Sequence, residues 1–368
     1  MMETVRDYSL ERLAESGKFD QASAAYARYF LMLSEEAGNA FFAPDEVAWF
    51  QWFAAERDNL RGVLAWSLDR DVELGLRIAG ALRRYLVMDG HYSEWRSWID
   101  DALTRTSLVA PRVRSHGIFA AAWLVMHQGI LPAAIDRCQE GLVIARALGD
   151  LSLIWVGVAC LGLCELARGD ASAATALFEE GLDICGKLGE APFRGGVLYC
   201  LGLAMQMRGD YDQARERMEE AVEVLRAQGE RYTVGSTLRS LGGIALSQGD
   251  YDRARARFQE GLRAALVAYH REGVASALEG IAGTRLAKGD LEGAARLRGA
   301  ADAVHDELHG PTNGDDDIPF ARLPHVSPHL RVIATELNEP RWKAARDEGY
   351  RAPVEQAVDD ALEEWEAG

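Results

Sequence analysis

Glycine recurs at Gly129, Gly169, Gly209, Gly249 and Gly289, the same 40-residue interval each time. A fixed period of this size constrains the chain more than any other feature. A unit of roughly 20–50 residues cannot bury its own apolar face and must stack on its neighbours. Arg168-Gly169-Asp170 returns as Arg208-Gly209-Asp210, a tripeptide that can mark extracellular adhesion sites. The next copies read Gln248-Gly249-Asp250 and Lys288-Gly289-Asp290, so the recurring element is Gly-Asp and the adhesion reading fails. Half-way between lie Gly149-Asp150, Gly189-Glu190 and Gly229-Glu230, which places a turn about every 20 residues. Between turns the pattern is helical: Ala174, Leu177, Phe178, Gly181 and Leu182 fall on one face. Glycine can take the left-handed conformation that ends a helix, and aspartate can cap the next one. Asp210 with Gln213 reads as a capping-box variant.

Two helices per period, repeated, predict an all-α, right-handed superhelical α-solenoid of helix-turn-helix units. Ala134, Ala174, Ala214, Ala254 and Ala294 keep one slot of the second helix small. Leu161-Gly162, Leu201-Gly202, Leu241-Gly242 and Ile281-Ala282 share a slot of the first helix, and Phe178, Met218 and Phe258 fill a large one after the alanine. This code resembles the tetratricopeptide repeat, lengthened to 40 residues from the usual 34 or so. HEAT repeats have a similar period but do not suit the small-residue code. The pattern divides the chain into an N-terminal helical region (1–70), the repeat array (71–310), a break rich in proline and aspartate (311–327) and a C-terminal helical cap (328–368). Within the first, "PDEVAWFQWFAAERDNLRGVLAWSLDR" (Pro44 to Arg70) reads as one long helix or a pair, and Gly90 stands one residue out of phase with Gly129.

The net charge of −17 disfavours a grip on nucleic acid, which needs a basic stripe. No apolar run reaches the length of a membrane span, and the charged start "MMETVRDYSLERL" lacks a secretory h-region, so a cytoplasmic protein is expected. The 5 cysteines fit small buried thiols in a reducing compartment, Cys160 and Cys164 sharing a helix face.

Three segments resemble the bacterial STAND regulators, signal-transduction ATPases with LuxR- and AfsR-like members. "METVRDYSLERLAESG" (Met2 to Gly17) is similar to the close of their winged-helix region, and "AERDNLRGVLAWSL" (Ala55 to Leu68), with Asp58 before Asn59-Leu60-Arg61, to the start of their sensor region. "EPRWKAARDEGYRAPVEQAVDDAL" (Glu339 to Leu362) is similar to their terminal W-x-x-x-x-x-E-G segment. The sequence holds no G-x-x-x-x-G-K-[ST], the loop that cradles nucleotide phosphates. The resemblance therefore implies a sensor region without ATPase or DNA-binding module, which neither hydrolyses ATP nor binds DNA alone.

A solenoid offers the first helices of its units as a concave face. Reading across the period, the slots run His116, Val156, Gly196, Ser236, Ser276; then Phe119, Ala159, Tyr199, Arg239, Glu279; then Trp123, Leu163, Leu203, Gly243, Gly283; then His127, Ala167, Met207, Ser247, Ala287. The expected binding face is aromatic around His116, Phe119, Trp123 and His127, and polar around Tyr199, Ser236, Arg239 and Glu279. Arg239 and Glu279 either pair on a solvated face or line the groove, where Arg239 would offer a fork to a carboxylate or phosphate. The third slot reads equally as inter-repeat core. The partner classes are a protein, a small-molecule effector or a second copy of the chain; the alternative to a regulator's sensor is a stand-alone scaffold. No cofactor is expected, and no nucleophile, triad or paired-carboxylate signature points to catalysis. His305 with His309, and His325 with His329, have metal-pair spacing, but "HDELH" is not H-E-x-x-H.

Overall fold

The structure, a computed structural model, describes residues 8, 11–13, 15–39, 45–89, 91–189, 193–268, 270–309 and 340–363. Among them every regular element is a helix, and each packs mainly on its neighbours in sequence. The chain is an all-α, tetratricopeptide-like solenoid. It divides into two compact units, Met1–Phe41 with Ala48–Cys160, and Phe42–Val47 with Leu161–Gly368. Gly90, the break at 311–327 and residues 328–339 lie outside the described residues.

The first unit begins with α1 (Phe19–Asn39), α2 (Glu46–Ala55) and α3 (Arg57–Arg70), the last two being the pair that Pro44 to Arg70 left open. Short helices α4 (Val72–Ala81) and α5 (Arg83–Asp89) follow, then α6 (Tyr92–Thr104), α7 (Pro111–His127), α8 (Leu131–Leu148) and the first half of α9 (Leu151–Arg168). Its core is aromatic: Phe30, Phe53, Tyr85 and Trp95 are buried, with Trp49, Trp52 and Trp98 packed against them. Asp89 anchors this end. Its carboxylate accepts from Arg57 Nε at 2.7 Å and Trp95 Nε1 at 3.1 Å.

The second unit holds the rest of α9, then α10 (Ala171–Leu188), α11 (Arg194–Arg208), α12 (Tyr211–Ala227), α13 (Tyr232–Ser247), α14 (Tyr251–Val267), α15 (Arg271–Ala287), α16 (Leu291–His309), α17 (Pro340–Arg351) and α18 (Val354–Leu362). From α7 to α16 the helices are 15 to 19 residues long, which accounts for the lengthened period.

The Gly-Asp turns work as a two-residue switch. Gly169, Gly209, Gly249 and Gly289 sit at φ 90, 85, 79 and 90°. The following N–H then reaches back five residues, Asp170 to Glu165 O at 2.9 Å and Asp250 to Ala245 O at 2.9 Å, closing the helix. The same aspartates start the next helix: Asp170 accepts from Ala173 N at 2.9 Å, Asp250 from Arg253 N at 3.1 Å and Asp290 from Gly293 N at 2.9 Å. Asp210 departs from this, and the expected capping box with Gln213 does not form. Its carboxylate turns to Arg208 Nε at 3.2 Å. In the preceding turn Arg168 is held by Glu165 at 2.5 Å, leaving Asp170 available to cap; the residue equivalent to Glu165 is Met205. Gly209→Val, which forces a β-branched residue to positive φ, should cost about 1 kcal/mol or more. An unchanged denaturation midpoint would contradict the role given to that turn.

Packing follows the large-against-small code. A Cβ added to Gly162 would meet the Phe178 ring at 2.5 Å, at Gly202 the Met218 side chain at 2.6 Å, and at Gly242 the Phe258 ring at 2.9 Å. One expectation needs correction. Helix α9 is long and apolar enough to cross a membrane by length and composition, with mean hydropathy 1.7. However, 67% of that window is buried in the structure, as befits an inner helix covered on more than one side.

At the C-terminal end α17 crosses α16 at a pair of glycines. A Cβ on Gly299 would lie 2.0 Å from Arg346 O, and one on Gly349 2.0 Å from Arg296 O. Trp342 is buried beside this crossing, in the core shared by α16 and α17. Arg346 Nη2 reaches Asp302 at 2.7 Å and Arg341 Nη2 reaches Glu292 at 2.6 Å. The buried Arg285 then grips Asp360 on α18 with both terminal nitrogens, each at 3.0 Å.

Candidate functional site

The inner helices of the second unit, α11, α13 and α15, carry the polar half of the expected face. Gly235, Arg239 and Gly242 lie at helical spacing on the side of α13 that meets α14. A Cβ on Gly261 of α14 would come 2.9 Å from Arg239 Cγ. The equivalent pair in the first unit is Phe119 against Gly141, where the added Cβ would meet the ring at 2.5 Å. This geometry corrects the second slot. Phe119 and Arg239 enter the interface between paired helices and Glu279 is buried, while Ala159 and Tyr199 are partly open. Phe119 is 0% exposed, a packing residue and not a partner contact.

Arg239 is only 9% exposed. Its Nη2 donates to Ser236 Oγ at 3.0 Å, while Nη1 is enclosed and has no hydrogen-bond partner among the described residues. Burial lowers its pKa below the usual guanidinium range, opposed by the fields of Tyr199, Tyr232 and Glu272. Burial pushes the Tyr199 phenol above the ordinary range, against the pull of the nearby Ser240 hydroxyl and Arg239. The structure therefore brings Tyr199, Ser236 and Arg239 together, with Ser240 as a fourth member.

Glu279 is not part of this group. It is 1% exposed, and Oε1 lies 3.7 Å from both Arg298 Nη1 and His305 Nε2. Arg298 also donates to Asp302, which in turn binds Arg346 of α17. Glu279 thus belongs to a buried charge network that reaches the C-terminal helix, and it neither pairs with Arg239 nor stands open beside it. The same network takes His305. The side chain of His309, and all of His325 and His329, lie outside the described residues.

In the first unit Trp123 and His127 stack with ring centroids 5.8 Å apart, and His127 Nδ1 lies 2.8 Å from Trp123 O. His116 packs on Gly80, where an added Cβ would meet it at 2.8 Å. Burial, then Arg83 and Arg112, push the His116 pKa down to about 4. In the unfolded chain it titrates near 6.5. The folded state thus prefers neutral imidazole: its stability is full above about pH 6.5 and is lost as pH falls toward 4, on the order of 2–3 kcal/mol from this residue. His116→Asn should flatten that part of the acid limb relative to the parent in denaturant titrations at successive pH values. Parallel limbs would contradict the assignment.

Gln206 went unnoticed in the slot reading. It is buried on α11, and among the described residues neither its amide oxygen nor its nitrogen has a hydrogen-bond partner. Its equivalents are Met126, Leu166, Leu246 and Leu286, so one more 40-residue register would have exposed it as the polar outlier.

The tetratricopeptide-repeat family matches residues 193–266, the stretch that holds Tyr199, Gln206, Ser236 and Arg239. The chain carries tetratricopeptide repeats. Among curated proteins it is 28% identical over 188 residues to a Mycobacterium tuberculosis protein named "Putative HTH-type transcriptional regulator". That match covers 48% of this chain and 21% of the relative's length. A solved STAND protein with a tetratricopeptide repeat sensor, from Pyrococcus horikoshii, superposes with TM-score 0.55 at 15% identity, over 85% of this chain and 47% of that one. NprR in complex with its cognate peptide NprX gives 0.54 at 16% identity, over 91% of this chain and 88% of that one. At these identities the structural likenesses establish the repeat fold.

Proposed function

We propose that this chain is the effector-sensing, protein-interaction module of a transcriptional regulator of the STAND type, holding a peptide or small molecule against the inner helices of its second unit. One observation carries the reading. Gln206 and Arg239 are buried polar side chains with unsatisfied atoms; the repeats on either side of Gln206 carry Leu166 and Leu246, and Phe119 fills the site equivalent to Arg239 in the first unit. Buried polar groups are ordinarily paired, and exceptions gather where a ligand completes them. The regulator relative, the STAND sensor and the peptide-bound NprR all support this choice among repeat proteins. The outer helices suit a different task. Arg253 with Glu219, and Arg226 with Glu260, form ion pairs between α12 and α14.

The test is a thermal-shift screen of the whole chain against short peptides and small acidic metabolites. A ligand at a hundred-fold excess over its Kd should stabilise the native state by about 2.7 kcal/mol. Stabilisation by a member of either class supports the sensor. Saturable binding of folded proteins alone, with no response to either class, would favour the stand-alone scaffold.

A further inference from the structure

We propose that Arg239 is the anchor for an anionic group of the effector, a carboxylate or a phosphate, reached from the Ser236 and Ser240 side of α13. This deepens the reading of the inner helices as an effector site and rests on it.

The fold itself does not call for arginine at this position. The equivalent site in the first unit has the same geometry, a side chain laid across a glycine of the paired helix, and there Phe119 fills it. Arg239 brings a charge into the same kind of interface and finds little to balance it. Among the described residues its guanidinium has no ion-pair partner, and Ser236 supplies its side-chain hydrogen bond. Glu272 is the carboxylate whose field reaches it, without pairing to it. A buried charge lacking a counter-ion destabilises the protein that carries it, so the free protein bears a cost that a bound anion would lift. The groups around the guanidinium are hydroxyls: Ser236, whose Oγ accepts from Arg239 and donates to Tyr232 O at 3.3 Å, with Ser240 and Tyr199 able to donate. A cation ringed by donors is the arrangement that recognises a carboxylate or phosphate oxygen. Tyr232, which packs on His270 with ring centroids 4.2 Å apart, adds an aromatic wall whose phenol also lies in the field of Arg239.

This makes an unusual demand on mutagenesis. Arg239→Met, in the whole chain and in a buffer free of phosphate and carboxylates, should raise the melting temperature by about 2 °C or more, because it removes an unbalanced charge while keeping the bulk. Titration with sodium phosphate, and separately with sodium acetate, at constant ionic strength should raise the melting temperature of the parent saturably and leave Arg239→Met unmoved. The anion that saturates at lower concentration identifies the favoured chemistry. Arg239→Lys keeps the charge without the fork and should show a weaker response to both. A melting temperature lowered by Arg239→Met in the anion-free buffer would make Arg239 a structural residue and overturn the proposal. Equal responses of parent and Arg239→Met to both anions, or no response in the parent, would overturn it too. None of these outcomes depends on finding the effector, so the peptide and metabolite screen can fail or succeed separately.

Discussion

Gly349→Val should detach the C-terminal helices from the array, at a cost above about 3 kcal/mol. A Cβ at this position would stand 2.0 Å from the carbonyl oxygen of Arg296, and the obstacle is backbone, so no side chain can swing aside. The only relief is for α17 to move off α16. That exposes Trp342 and breaks the Arg346–Asp302 and Arg341–Glu292 pairs together. Gly299→Val meets the mirror obstacle at Arg346 O, also 2.0 Å away, and should act alike. Limited trypsin digestion should cut both variants between α17 and α18 far faster than the parent. Gly62→Ala is the control, since nothing lies within 4 Å of an added Cβ there. If the glycine variants resist trypsin and melt like the parent, the crossing is not as described.

Phe258→Ala should cost about 3–5 kcal/mol, the range for deleting a fully enclosed aromatic ring. The ring is held by two successive inner helices: a Cβ on Gly242 would meet it at 2.9 Å and one on Gly280 at 2.3 Å. The loss therefore opens two interfaces at once. Phe258→Leu with Gly242→Ala should lose less than the sum of the single changes, because each gives the other room. Urea denaturation of the four proteins measures this directly, and strict additivity would mean that ring and glycine do not share a space.

Both results bear on how far the sequence could be read. The Gly-Asp period, the small alanine slot and the large slot at Phe178, Met218 and Phe258 were legible because each is a local or near-neighbour constraint that repeats. The W-x-x-x-x-x-E-G segment was legible as a motif, yet its reason was not: Gly349 matters through Arg296, more than fifty residues upstream. Likewise Leu60 and Arg61 of the Asp58-Asn59-Leu60-Arg61 stretch turn out to be core filling and an ion pair to Glu94. Phe119, Arg239 and Glu279 are buried, and so are the residues on either side of Phe119 and Glu279, because these inner helices are covered on more than one side. The partner of Glu279 was hidden for a further reason. Arg298 and His305 lie on the second helix of the unit, outside the register that was compared.

The effector is proposed to lie against the inner helices of the second unit. Hydrogen exchange of the whole chain, with and without the compound that stabilises it most in the thermal-shift screen, tests this directly. Exchange should slow mainly in Arg194–Arg208 and Tyr232–Ser247, with the outer helices Tyr211–Ala227 and Tyr251–Val267 little changed. Protection confined to those outer helices, or spread evenly along the array, would contradict it.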